Sequence, residues 1–213
     1  MFGLFEQRRW PEFTPDDIRK RSRLLVIDDG DFPYQTLFKR DGYAIDKWSD
    51  IEDLSRLERG EFDIILLDIH GVGTKESQEQ GFGILKHLRS STPTQTIIAY
   101  SNADWSLKYQ GFFDLADAKL DKRADYVDFK RVVDEQLRRR FSLEFYVDRI
   151  VRAVGAKVSD PEKLRKFAIK AILTGKTKAL EKYVSTTLDA KDVLEIVLNI
   201  AQVAIGLASL TSV

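Results

Sequence analysis

The chain has 213 residues, enough for one standard domain and an extension. Its 34 Lys and Arg balance 34 Asp and Glu, so no global field draws it to nucleic acid or acidic lipid. It has no cysteine, which excludes disulfides, thiolate zinc sites and cysteine nucleophiles; with only two histidines, His70 and His87, a histidine-rich metal centre is not expected either. Arg8 and Arg9 interrupt the start after a few apolar residues, so no signal peptide is read there and the cytoplasm is the expected location.

Residues 1–22 read as an N-terminal extension, with Thr14 as the N-cap and Pro15 as the first position of a helix that ends in the basic run Arg19 to Arg23. Leu24 to Ile27 form a short apolar run that ends in Asp28 and Asp29. Phe32 to Arg40 is expected as a short helix stopped by Gly42, and Tyr43 to Trp48 as a modest strand. Ser49 and Glu52 have capping-box spacing, which predicts a helix from Ile51 to Arg59, ended by Gly60. Ile64 to Leu67 is a continuous apolar run, as in a strand buried on both faces of a parallel sheet, and it ends in Asp68.

A polar loop, 71–80, leads to a predicted helix over 83–89, and Thr92-Pro93 breaks the chain before the strand Thr96 to Tyr100. That strand runs into Ser101-Asn102; a helix is expected over 105–114, then a short strand Ala118 to Leu120 ending at Asp121-Lys122. Tyr126 to Leu137 returns to helical spacing. These alternations predict an α/β fold, a doubly wound five-stranded parallel sheet, over 23–140.

From Arg138 the alternation stops, and 141–213 reads as an all-α C-terminal domain, with Ser159-Asp160-Pro161 opening one helix and Gly175 closing it. Val193 to Leu210 approaches the roughly 20 apolar residues that a bilayer span needs. Glu195, Asn199, Gln202, Gly206 and Ser209 nevertheless fall along one stripe, opposite Val197, Ile200, Ala201, Ala204, Leu207 and Ala208. This helix is expected to close the helical domain or build a homodimer, not to enter a membrane. The tail lacks a helix-turn-helix signature and the basic run lacks interleaved aromatics, so nucleic acid is not an expected partner.

A lone Asp at a strand end reads first as a loop cap. Here a parallel sheet would carry Asp28, Asp29, Asp68, Ser101 and Lys122 to one edge, where α/β sheets collect ligands. Clustered carboxylates suit Mg2+, a hydroxyl and an ammonium beside them suit a phosphoryl group, and Asp68 is placed as a carboxylate nucleophile.

These five positions, over Arg23 to Leu137, resemble the receiver domain of bacterial two-component response regulators, whose fold is flavodoxin-like. The resemblance implies that Asp28, Asp29 and Asp68 chelate Mg2+, with the carbonyl of His70 completing the shell. It implies that Asp68 accepts phosphate from a histidine kinase or phosphotransfer protein, that Ser101 follows the phosphoryl group, and that Lys122 ion-pairs with it. The chain departs from the pattern at Arg123, where the family usually has Pro, at Lys119, where a switch aromatic is usual, at the bulkier Asn102, and in a longer loop after Asp68.

The expected function is thus a response-regulator-like signalling protein. It would take a phosphoryl group on Asp68 with Mg2+, with at most self-phosphorylation from a donor and slow self-dephosphorylation, and relay it to a helical output or oligomerisation domain. The rivals are a pseudo-receiver scaffold that is never phosphorylated, and an effector whose C-terminal helix engages membrane.

Overall fold

The structure is a computed structural model, described here for residues 9–102, 114–155, 158–187 and 191–210. The helix expected over 105–114 lies outside these residues, apart from Asp114. Contacts divide the chain into two compact units, Thr14–Arg140 and Met1–Phe13 with Phe141–Val213. Residues 9–13 and 14–22 therefore belong to different units.

In the first unit, α1 (Pro15–Arg21) opens as its sequence predicts: the Asp17 amide donates to Thr14 Oγ1 at 3.2 Å and the Thr14 amide to Asp17 Oδ2 at 3.1 Å. There follow β1 (Arg23–Ile27), α2 (Gln35–Arg40), β2 (Ala44–Trp48), α3 (Leu54–Glu58), β3 (Ile64–Asp68), α4 (Gly81–Ser91), β4 (Thr96–Ser101), β5 (Ala118–Asp121) and α5 (Tyr126–Arg140). The strands form one five-stranded sheet in the order β2-β1-β3-β4-β5, with every pair parallel. Every residue of β3 and β4 is buried, which is why Ile64 to Leu67 reads as an unbroken apolar run and why β4 centres on Ile97, Ile98 and Ala99. The register pairs Ile27 with Leu67, Asp68 with Tyr100 and Ser101 with Asp121, so the carboxyl ends of four strands lie level at one edge.

Helix α3 is shorter than its sequence suggests, and Ser49 does not cap it. Asp53 is the N-cap, accepting from the Arg56 amide at 3.3 Å and from Ser55 Oγ at 2.6 Å. Asp50, next to the expected cap, turns instead to the amides of Ile51 at 2.8 Å and Gly73 at 2.6 Å. A carboxylate four residues before a helix that ties down a distant loop leaves the capping to a nearer one.

The second unit comprises residues 9–13 with α6 (Leu143–Val154), α7 (Pro161–Thr174), α8 (Lys178–Thr187) and α9 (Lys191–Ala208). Trp10 Nε1 donates to the Phe141 carbonyl at 2.8 Å, and its ring stands 5.9 Å from that of Tyr146, so residues before the sheet are tied to residues after it. Asp160 caps α7 through the Lys163 amide at 2.9 Å, and Gly175 ends it in the left-handed region. Helix α9 packs on α6, α7 and α8 through Val197, Ile200, Ala201, Ala204 and Ala208, all buried, while Glu195, Asn199, Gln202, Gly206 and Ser209 are exposed. Among the described residues no helix is long and apolar enough to cross a membrane.

Candidate functional site

The ends of β1, β3 and β5 bring together the groups the sequence singled out. Lys122 Nζ donates to Asp68 Oδ2 at 2.5 Å and to Asp28 Oδ1 at 3.0 Å, so one ammonium bridges two buried carboxylates. Asp28, Asp29 and Asp68 each offer an oxygen within 4.8 Å of the others. Asp29 is exposed, and a Cβ at Gly71 would stand 2.3 Å from its Oδ2, so its carboxylate lies against the glycine of the following loop. Ser101 is buried at the end of β4, its carbonyl accepting from the Lys122 amide at 2.9 Å. His70 meets the site through its backbone, whose amide donates to Asp68 Oδ1 at 3.3 Å beside that of Ile69 at 2.7 Å.

Burial pushes the Asp68 carboxyl above its usual range, against the pull of the Lys122 ammonium and the His70 amide. Burial would do the same to Asp28, but the Tyr100 hydroxyl, the Gly30 amide and Lys122 together outweigh it and hold that carboxyl down. For Lys122 burial alone would favour loss of the proton; the two carboxylates win, and the ammonium keeps it. The site thus holds a fixed positive charge between two acids of unequal strength.

Two features escaped the sequence. Tyr100 reads there as one more core residue of β4, yet its hydroxyl donates to Asp28 Oδ2 at 2.5 Å. The one available signal is general: a buried tyrosine hydroxyl requires a partner. The loop after Asp68 is also anchored rather than loose. Val72 is fully buried, the Gly73 amide is held by Asp50, and the Gly71 amide donates to Gln80 Oε1 at 3.0 Å. Gly81 lets α4 begin directly against the end of β3, since a Cβ there would stand 2.1 Å from the Asp68 carbonyl oxygen. Of the departures from the receiver pattern, Lys119 is half-exposed and 3.8 Å from Asp114, and Arg123 turns away from the site to pair with Asp121 at 2.6 Å.

No protein-family model matches the chain, and no curated protein matches it in sequence. Solved structures do resemble it. A CheY-like receiver domain protein from Methanospirillum hungatei is 22% identical with a TM-score of 0.46, covering 56% of this chain and 95% of its own. The response regulator protein TrrA from Thermotoga maritima, solved in complex with Mg2+-BeF, is 23% identical with a TM-score of 0.44, covering 54% of this chain and 98% of its own. Full-length FixJ from B. japonicum covers 87% of this chain and 98% of its own, at 15% identity and a TM-score of 0.49. What places the first unit is its own sheet, five parallel strands in the order 2-1-3-4-5 with flanking helices. Its fold is flavodoxin-like.

The donor set at this edge suits a hard cation. Three carboxylates converge with no sulfur or imidazole ring among them, which fits Mg2+ rather than a softer metal. Lys122 and the hydroxyl-bearing Ser101 lie at the same edge, where a group transferred to Asp68 would need positive charge and donors.

Proposed function

We propose that the protein is a response-regulator-like signalling protein whose Asp68 accepts a phosphoryl group in an Mg2+-dependent reaction. The observation that carries this reading is the bridge from Lys122 to Asp68 and Asp28 at the carboxyl edge of the sheet, with Asp29 beside it. In the step proposed, an Asp68 carboxylate oxygen bonds to phosphorus while the P–N bond of a donor phosphohistidine breaks, its electron pair returning to the imidazole nitrogen. Lys122 then pairs with the new phosphoryl oxygens, and Ser101 donates its hydroxyl to them. Asp28, Asp29, Asp68 and the His70 carbonyl would hold Mg2+, which supplies the charge that lets an anion approach a carboxylate.

The donor is taken to be a histidine kinase or phosphotransfer protein, the setting cytoplasmic, and 141–213 an output or oligomerisation part that a homodimer could use. One observation favours the scaffold reading instead. Lys122, Tyr100 and the Gly30 amide already satisfy the buried acids without a metal ion.

The test is incubation with Mg2+ and acetyl phosphate, followed by intact mass and peptide mapping. One phosphoryl group on the Asp68 peptide is the expected result. A mass that never changes, with Mg2+ and donor in excess, selects the scaffold.

A further inference from the structure

Asp28 is the most heavily engaged acid of the site. Its Oδ1 accepts from the Gly30 amide at 2.8 Å and from Lys122 Nζ at 3.0 Å, and its Oδ2 from the Tyr100 hydroxyl at 2.5 Å. An ionised carboxylate offers about four lone-pair sites, so three donors leave it little to give a cation. Tyr100 is itself fixed. It is 1% exposed, its ring stands 6.4 Å from Phe32 and 6.1 Å from Phe129, and Lys122 Nζ lies 5.2 Å over its face. A hydroxyl on a ring packed this way cannot swing aside to release Oδ2.

We infer that Tyr100 is a positioning residue that ties Asp28 Oδ2 into the sheet, limits Asp28 to at most one metal-facing oxygen, and so selects Mg2+ over Ca2+. Mg2+ keeps several waters and uses one or two carboxylates at octahedral positions, whereas Ca2+ takes six to eight oxygens and can use carboxylates that chelate with both. A site whose third acid is held back by a tyrosine hydroxyl suits the smaller ion. Freed of that hydroxyl, Asp28 could chelate, and the larger ion would gain more. The inference rests on the metal-dependent reading above and concerns which ion that site prefers.

The experiment is calorimetric titration of the full chain, unmodified and as Tyr100→Phe, with Mg2+ and with Ca2+ separately at neutral pH. Phenylalanine keeps the ring packing and removes only the donor; Tyr100→Leu, which also lacks the hydroxyl, serves as a second variant, and thermal melts verify both folds. The ratio of the Ca2+ to the Mg2+ dissociation constant should fall roughly threefold or more in Tyr100→Phe. The same substitution placed on Asp28→Asn should leave the ratio unmoved, since the effect runs through that carboxylate. A folded Tyr100→Phe or Tyr100→Leu whose ratio equals that of the unmodified chain overturns the inference alone. So does an equal fall in the Asp28→Asn background. An unmodified chain that binds neither ion removes the inference and the metal-dependent reading together.

Discussion

The two units bury different things. Among the described residues, every buried polar or charged residue, from Ser22 through Asp28, Asp68 and Ser101 to Arg140, belongs to Thr14–Arg140. The helical unit closes over aliphatic and aromatic residues alone, among them Phe145, Ile150, Leu164, Ile172, Leu180 and Ile200. An ion taken out of water must be partnered or it costs several kcal/mol. Each buried charge in the sheet unit is partnered, and the partners converge in two places. At the carboxyl edge they are Asp28, Asp68 and Lys122; at the other edge Arg140 reaches Asp63 at 2.9 Å and the Thr94 carbonyl at 2.5 Å. The second cluster fastens α5 across the strand starts. The first joins the ends of β1, β3 and β5 through a single ammonium.

The largest effect that can break this comparison is chemical. Asp68→Asn keeps the size of the side chain and removes the nucleophile, so labelling by acetyl phosphate should fall to nothing, read by intact mass, with an unchanged circular dichroism spectrum. Persistent labelling would move the acceptor elsewhere.

Next comes Lys122→Met. It leaves two buried carboxylates facing one another, and breaking a buried pair costs about 3–5 kcal/mol. Urea unfolding should show this loss in metal-free buffer and a partial recovery in millimolar Mg2+, because an ion that binds only the folded chain stabilises it. A variant as stable as its parent would mean that the acids are not both charged.

In the helical unit the matching substitution is Ile200→Ala. Removal of a fully buried aliphatic group costs about 2–5 kcal/mol, with no dependence on Mg2+. A Mg2+-dependent loss here would blur the difference between the units.

The smallest effect is at a partly exposed charge. The Arg56 guanidinium, bonded to Glu61 at 2.6 Å and helped by Arg23, holds the Glu61 carboxyl down at about 2. A carboxyl lowered on folding contributes stability above its unfolded value, and that contribution is lost as pH falls toward the folded one. The melting temperatures of the parent and Glu61→Gln should therefore differ slightly at pH 7 and converge between about 4.5 and 2. A gap that persists at the acid end would mean that packing, not charge, separates them.

These contrasts follow how much of the molecule was legible. Leu24 to Ile27, Ile64 to Leu67 and Thr96 to Tyr100 could be read as strands because burial on both faces removes polar residues from them. Asp28, Asp68 and Lys122 could be read because each ends such a run and a parallel sheet carries those ends to one edge, which a lone loop cap would not explain. Tyr100 could not, since its role depends on register: only the pairing of β4 with β3, and of β3 with β1, brings its hydroxyl to Asp28. Asp50 was hidden for a related reason, its partner Gly73 lying 23 residues away in a loop. The division of 1–22 was likewise out of reach, for Trp10 finds its partner 131 residues later.

The pinning of the segment after Asp68 has a use in engineering. Val72 and Gly73 secure one end and Gly81 the other, while Thr74, Lys75, Glu76 and Gln78 project into solvent between them. A stretch fastened at both ends and exposed in the middle accepts inserted sequence at little entropic cost, because closure grows only slowly with length. A reporter peptide grafted after Lys75 would enter the loop that follows Asp68 while leaving β3 undisturbed. The same graft at Gly81 would drive a side chain into the Asp68 carbonyl. Between that loop and the helix it leads into, then, lie both a tolerant docking point for a sensor and a position where only hydrogen fits.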